Sequence, residues 1–391
     1  MENRQTALYH KHLEHHAKIV PFAGWDMPLN YAAGALAEHH AVRASAGLFD
    51  TSHMGRLFFR GADAARALDS LASSNILEMA PMSAQYGLLC RLDGTVIDDV
   101  FVYRLEPGAE SEWMVVVNAA NRDRDLAWMR RQVPGIDIDD RTATTTMLAL
   151  QGPTALAILE AAGDAATSAT DRFSAVRTEV AGIEVLSGRT GYTGEEGAEL
   201  YCAAENGPAL WDALFAAAET AGIEILPCGL ASRDSLRFEA GFPLYGHELT
   251  DEITPVEARL TWACHFDRPF VGSEAILEKK KAGSATRLVT FKMIDRAVPR
   301  QGHEVYTAAT PGSPTGSPTG APGSPTTAPA GKAIGTVVSG MYAPTVDAYC
   351  GNAYVLKESS RTGTQLHIDI RNKRRAAEIV KRPLYLPVYR R

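Results

Sequence analysis

Two adjacent carboxylates, Asp98 and Asp99, stand in the apolar stretch Val96-Ile97-Asp98-Asp99-Val100-Phe101-Val102. A carboxylate beside apolar side chains loses hydration, so its pKa rises and it suits acid/base work. Successive strand residues point to opposite faces, so only one of the pair can face a given pocket. An Asp-Asp pair alone reads as a solvated turn with local side-chain capping. The apolar entry and exit make both acids awkward unless one has a job. A second stretch, Arg189-Thr-Gly-Tyr-Thr-Gly-Glu-Glu-Gly-Ala-Glu199, carries glycines at 191, 194 and 197. A glycine-rich turn can cradle phosphate, but no Lys-Ser/Thr ending and no helix follow directly, which argues against a P-loop. Arg233 and Arg237 are four residues apart, on one face of a short helix. Asp234 and Glu239 lie nearby, so an ion-pair network competes with ligand binding there. Ser52-His53-Met54-Gly55 adds a lone histidine and an adaptable apolar side chain. His10, His12, His15, His16 and His39-His40 invite a metal reading, and His12 and His16 have i, i+4 spacing. The H-E-x-x-H pattern is absent, so no metal site is expected.

These residues need elements to position them. The pattern predicts helices over 35–46, 62–71, 121–132, 154–162, 208–221 and 230–239. It predicts strands from Leu57, over 112–118, 145–150, 178–186 and 198–202, and a hairpin over 86–104 turning at Asp93-Gly94. Strand–helix–strand–strand order with hairpins argues an α+β fold rather than a doubly wound parallel sheet. After Phe270-Val-Gly272, short strands at 288–293, 333–339, 352–355 and 365–370 read as a small β-rich domain, a barrel.

Residues 308–331 hold no charge and no large apolar side chain. Such a segment cannot bury enough surface to offset its ordering entropy, and a disordered loop is expected. Long insertions cost little, because closure entropy grows with the logarithm of length. Replacing 308–331 by a short Gly-Ser link is therefore expected to leave melting temperature and activity nearly unchanged. A fall of more than about 4 °C, roughly 3 kcal/mol for a chain of this length, would show that the loop packs.

The 391 residues suggest two or three domains at roughly 100–200 residues each. A net charge of −7 argues against general nucleic-acid binding. Residues 371–391 are nonetheless basic, with Glu378 the one acid, and read as a solvated tail or a docking face for an acidic partner. Five cysteines with no CxxC pair suit a reducing compartment rather than a zinc site or disulfide framework. No apolar run reaches the ~20 residues needed to span a bilayer, and the N-terminus lacks a signal-peptide core. The expectation is a soluble cytoplasmic protein with no membrane partner.

Taken in order, Ser52–Gly55, Asp93–Asp99, Arg189–Glu199 and Ala231–Gly241 resemble the aminomethyltransferase (T-protein) family of the glycine cleavage system. Phe22-Ala-Gly-Trp-Asp-Met-Pro-Leu29, Glu38-His-His-Ala-Val-Arg43, Gly47-Leu-Phe-Asp50, Leu150-Gln-Gly-Pro153, Thr254-Pro-Val-Glu257, Trp262, Gly335-Thr-Val-Val-Ser-Gly340 and Arg371-Asn-Lys373 agree with it. The 308–331 insert, His265-Phe-Asp-Arg268 and the final residues depart from the pattern. The resemblance implies a three-domain cloverleaf around a central folate hole. Residues 1–275 would form two interleaved α+β domains, and 276–391 a C-terminal β-barrel interrupted by the insert.

The activity implied is transfer of a methylene from the aminomethyl-dihydrolipoyl arm of lipoylated H-protein to tetrahydrofolate. Ammonia is released and 5,10-methylenetetrahydrofolate formed, in functional association with glycine decarboxylase and dihydrolipoyl dehydrogenase. By the same resemblance Asp98 matches the essential aspartate, which leaves Asp99 structural. Glu199 matches the pterin-reading glutamate, since a carboxylate accepts the two parallel donors of the pterin edge. Arg233 would offer its planar fork to the folate. Tyr192 and Met54 would pack on the ring system, Asn118 would lie near the aspartate, and Tyr245 is a further pocket residue. Folate contacts at Tyr389 or Arg390 match loosely. The rivals are another tetrahydrofolate-dependent demethylase of this fold, or the folate-binding protein of iron–sulfur assembly and RNA modification. The latter carries a reactive cysteine in the glycine-rich stretch; residues 189–199 here hold none.

Overall fold

In Ala46–Asp50 alternate residues meet different cores: Leu48 joins one with Leu148 and Trp211, and Phe49 another with Val42 and Leu236. A strand covered on both faces needs the continuous apolar run found here. In this computed structural model, which describes residues 3–105, 113–307 and 332–386, that strand lies inside a six-stranded sheet. Its order is Ala175–Val180, Ile183–Gly188, Gly197–Ala203, Thr145–Gln151, Ala46–Asp50, Ile225–Cys228. After Asp50 the chain leaves this sheet and builds a second, antiparallel one of five strands. Their order is Ser83–Cys90, Val96–Arg104, Trp113–Val117, Gly55–Arg60, Asp137–Asp140. It then returns to the first sheet at Thr145. The two α+β units are therefore interleaved.

Helices Ala64–Leu71 and Arg122–Gln132 cover one face of the five-stranded sheet through Leu68, Leu71, Trp128 and Met129. Ala155–Ala161 and Gly207–Ala221 cover the six-stranded sheet through Ile158, Leu159, Trp211 and Leu214. The uncovered faces meet each other through Phe58, Tyr103, Met114, Met147, Leu186 and Tyr201. The C-terminal part closes into a six-stranded barrel of Thr286–Met293, Ala348–Leu356, Ala333–Ala343, Glu304–Thr307, Gln365–Asp369 and Arg374–Val380. Closure removes the exposed sheet edges.

Two expectations change. The single strand expected over 178–186 is part of a hairpin, turning at Ala181 (φ 51°) and Gly182 (φ 77°). Positive φ at both central residues marks the two-residue turn that suits strand twist, and alanine there gives no turn signal. The basic run expected as a tail is a barrel hairpin through Val380. Ala377 and Ile379 point inward, while Arg374 pairs with Asp369 at 3.3 Å. The 308–331 insert, Tyr389 and Arg390 lie outside the described residues. Among the described residues no helix is long and apolar enough to cross a membrane, and no group of three or more His, Cys, Asp or Glu is placed to hold a metal.

Candidate functional site

A cavity of about 1350 Å³ opens where the two sheets, the helix Leu230–Ala240 and the barrel residues Met341, Pro344 and Arg382 converge. Asp99, Glu199, Arg233, Tyr192, Met54, Asn118 and Tyr245 all line it. Residues almost 200 positions apart thus meet because one sheet is threaded through the other. Asp98 does not line the cavity and is fully buried.

A β-bulge explains which aspartate faces inward. Leu89 pairs with Asp98 and Cys90 with Val96, so Ile97 is an extra residue in its strand. Bulges re-aim neighbouring side chains. Ile97, Val100 and Val102 all pack into the core beneath Arg122–Gln132, and Asp98 shares that side. Its Oδ1 accepts from Asn118 Nδ2 (2.9 Å) and Asn121 Nδ2 (2.6 Å), and its Oδ2 from the Asn118 backbone N–H (2.9 Å). Asp99 points the other way. It accepts from Asn118 Nδ2 at 2.9 Å and the Tyr86 hydroxyl at 3.1 Å. Burial, then the charge of Asp98, pushes Asp99 up to about 7. That is the range in which a carboxyl can both take and give a proton at neutral pH.

The six-stranded sheet and the helix Leu230–Ala240 supply the cavity with an acceptor and a donor. Glu199 lies on the strand Gly197–Ala203, and its Oε2 takes the hydroxyls of Thr190 (2.6 Å), Tyr103 (3.3 Å) and Tyr201 (3.4 Å). No donor among the described residues reaches its Oε1. Gly188 makes room for this cluster: a Cβ there would lie 2.7 Å from the Tyr103 hydroxyl. Arg233 holds its guanidinium 4.8 Å from the Tyr192 ring and brings Nη2 to 3.7 Å from Met54 Sδ. Its Nη1 is buried without a hydrogen-bond partner among the described residues. A buried unpaired donor costs about 1–3 kcal/mol, so a bound acceptor fits there. A Cβ at Gly191 would come 2.0 Å from Gln151 Oε1, so that glycine serves close packing.

Arg237 is structural: it binds Asp234 at 2.8 Å and Glu248 at 2.7 Å. Asn352 of the barrel also donates to Glu248, tying helix and barrel together. His53 lines the cavity edge-on to Phe22, and burial pushes its imidazole down to about 3, so it is neutral. Of the N-terminal histidines, His12 is structural: it bonds Asp50 (2.9 Å) and the Tyr31 hydroxyl (2.9 Å).

A family model described as the GCVT N-terminal domain matches residues 8–268, and one described as the glycine cleavage T-protein C-terminal barrel domain matches 286–385. Aminomethyltransferases of Desulforamulus reducens and Geobacillus kaustophilus are 41% and 39% identical, each over 98% of both chains. The crystal structure of glycine cleavage system aminomethyltransferase T from Bartonella henselae is 29% identical, with a TM-score of 0.85 and 98% of each chain covered. The chain belongs to the glycine cleavage T-protein family. It is a transferase of that family, with its three-part fold.

For this T-protein, sequence reasoning missed Asn121, Tyr103 and Thr190, which hold the two carboxylates, and Tyr86, which stacks on Trp262 at 5.6 Å beside the cavity. Asn121 was legible in principle, three residues after Asn118 and just before the helix. Tyr103 was legible by strand alternation, four residues after Asp99 and so on its face. Nothing local marks Thr190 or Tyr86.

Proposed function

We propose that the chain transfers the methylene of an aminomethyl-dihydrolipoyl arm, carried by lipoylated H-protein, to tetrahydrofolate. The products are 5,10-methylenetetrahydrofolate, ammonia and the free dithiol arm. The observation that carries this reading is the trio facing one cavity: an acceptor, Glu199, with an open oxygen; a donor, Arg233, with an unpaired N–H; and the near-neutral carboxyl of Asp99. The pterin edge offers paired donors for Glu199 and a carbonyl for Arg233, while Tyr192 and Met54 pack on the rings. The reading also covers cytoplasmic association with glycine decarboxylase and dihydrolipoyl dehydrogenase.

The proton inventory defines the task of the acid/base group. Two folate N–H groups disappear as the methylene bridge forms. One proton leaves with ammonia and the other ends on the arm's sulfur. Asp99, not the expected Asp98, is the carboxylate that takes a proton from the attacking folate nitrogen, because Asp98 is sealed behind it by Asn118 and Asn121. A base with its pKa near 7 is ionised above neutrality. kcat/KM is therefore expected to fall about tenfold per pH unit below about pH 7, read in a pH–rate profile of the free enzyme. A profile flat from pH 5 to 8 would remove Asp99 from this role.

The folate-binding iron–sulfur alternative needs a reactive thiol. No cysteine lines the cavity among the described residues; all five cysteines are buried, and burial pushes Cys202 up to about 11. The direct test is ammonia release from aminomethylated carrier with and without tetrahydrofolate. Release that ignores folate would sink the proposal.

A further inference from the structure

Behind Asp99 lies a third carboxyl that the reaction does not touch. Asp125 sits on the helix Arg122–Gln132, fully buried, beside Asp98. Neither of its oxygens receives a hydrogen bond from any donor among the described residues. Asp98, in contrast, receives three N–H donors from Asn118 and Asn121. Asn121 joins the two: its side-chain amide donates to Asp98 and its carbonyl accepts the Asp125 backbone N–H at 2.8 Å, which sets the carboxyls side by side. We infer that Asp125 is a positioning residue, a neutral carboxylic acid that donates its proton to Asp98 and so keeps a fixed negative charge behind Asp99.

A buried carboxylate with no donors is costly, and such a group neutralises instead of staying charged. Two buried carboxyls side by side cannot both ionise, so one proton belongs to the pair. The placement of donors decides who carries it. Every N–H points at Asp98, so the charge rests there and the proton on Asp125. Among the neighbouring groups Arg124 alone favours a charge on Asp125, and its hydrogen bond goes elsewhere. Arg124, on the same helix, brings Nε within 3.6 Å of Asp125 but donates from Nη2 to the Ile97 carbonyl and lies 4.9 Å from the Tyr245 ring. Tyr86, on the neighbouring strand, donates to Asp99. Burial, then the charge of Asp98, raises Asp125 to about 10. One amide, Asn118 Nδ2, bonds both Asp98 and Asp99 and couples the hidden charge to the cavity.

The kinetic arm of the test rests on the proposed function; the spectroscopic arm does not. In ligand-free protein at about pH 8.5, where an ordinary carboxyl is ionised, the infrared spectrum is expected to contain the carbonyl stretch of a protonated carboxylic acid. It should vanish in Asp125→Asn. No such band, or a band that survives in Asp125→Asn, overturns the inference, whatever the enzyme turns over. In the pH–rate profile, Asp125→Asn exchanges one neutral group for another and should leave the limb where it is. Asp98→Asn removes the charge and should move the limb to lower pH by on the order of one unit. A downward shift in Asp125→Asn would put the charge on Asp125 and refute the assignment. If Asp98→Asn does not fold, wild type and Asp125→Asn still decide the matter.

Discussion

Asp99→Asn is expected to fold normally and to lower turnover roughly 10²–10⁴-fold, the range for losing a positioned acid/base group. The substitution keeps the shape and can keep one bond to Tyr86 or Asn118, so melting temperature should hold. Asp98→Asn should behave differently. The new amide can put its NH₂ against the N–H donors of Asn118 and Asn121 that Asp98 now accepts. That mismatch costs about 1–3 kcal/mol of stability. Its effect on turnover should be the smaller of the two and depend on pH. Steady-state kinetics at saturating folate, with a melting curve for each variant, separates the cases. Loss of turnover in Asp98→Asn at unchanged stability, with Asp99→Asn active, would return the reacting role to the first aspartate.

Glu199→Gln is expected to weaken tetrahydrofolate binding by roughly 5- to 150-fold. The oxygen Oε2 already serves Thr190, Tyr103 and Tyr201, so the amide keeps its oxygen there and turns its NH₂ to the cavity. There it meets the donor edge of the pterin. A lost charge-assisted bond and an unpaired donor cost about 1–3 kcal/mol, at about 1.4 kcal/mol per decade of affinity. The ligand-free protein should melt as before, because the bonds to the oxygen survive. Arg233→Lys should also weaken binding, since a point charge cannot reproduce a planar fork. Titration calorimetry decides. If wild type binds no folate the whole reading falls, and if Glu199→Gln binds as well as wild type another residue reads the edge.

The fold was legible where the signal was local or came from the family pattern. Helices such as 208–221 and strands such as 145–150 announced themselves through periodicity and their flanking Gly-Pro or Gly. Ala46–Asp50 was too short and too uniformly apolar to declare its two faces, and Arg374–Val380 hid behind its arginines. In the site, Glu199, Arg233, Tyr192, Met54, Asn118 and Tyr245 share the cavity that the motifs suggested. Which aspartate lines the cavity could not be read. Alternation said that only one of the pair faces inward, but the choice depends on the strand's place between the Arg122–Gln132 helix and the cavity. No residue near Asp98 encodes that. Asp125 was invisible for a plainer reason: a carboxylate in the first turn of a helix reads as complementing the helix dipole.

The threading of one sheet through the other has a consequence for how the chain is made. Gly47 pairs with Gln151 and Leu48 with Leu150, so a strand that leaves the ribosome early waits for its neighbour roughly a hundred residues later. At synthesis rates of ~5–20 residues per second that wait is on the order of ten seconds. Throughout it Leu48 and Phe49 have only part of their cover, while the whole five-stranded unit is built in the gap. Non-local pairings of this kind fold slowly and leave apolar edges open to other chains. The nascent protein should therefore need a holding chaperone most acutely between the emergence of Asp50 and that of Gln151, and codons that slow translation in this interval should lower soluble yield more than slow codons in the barrel.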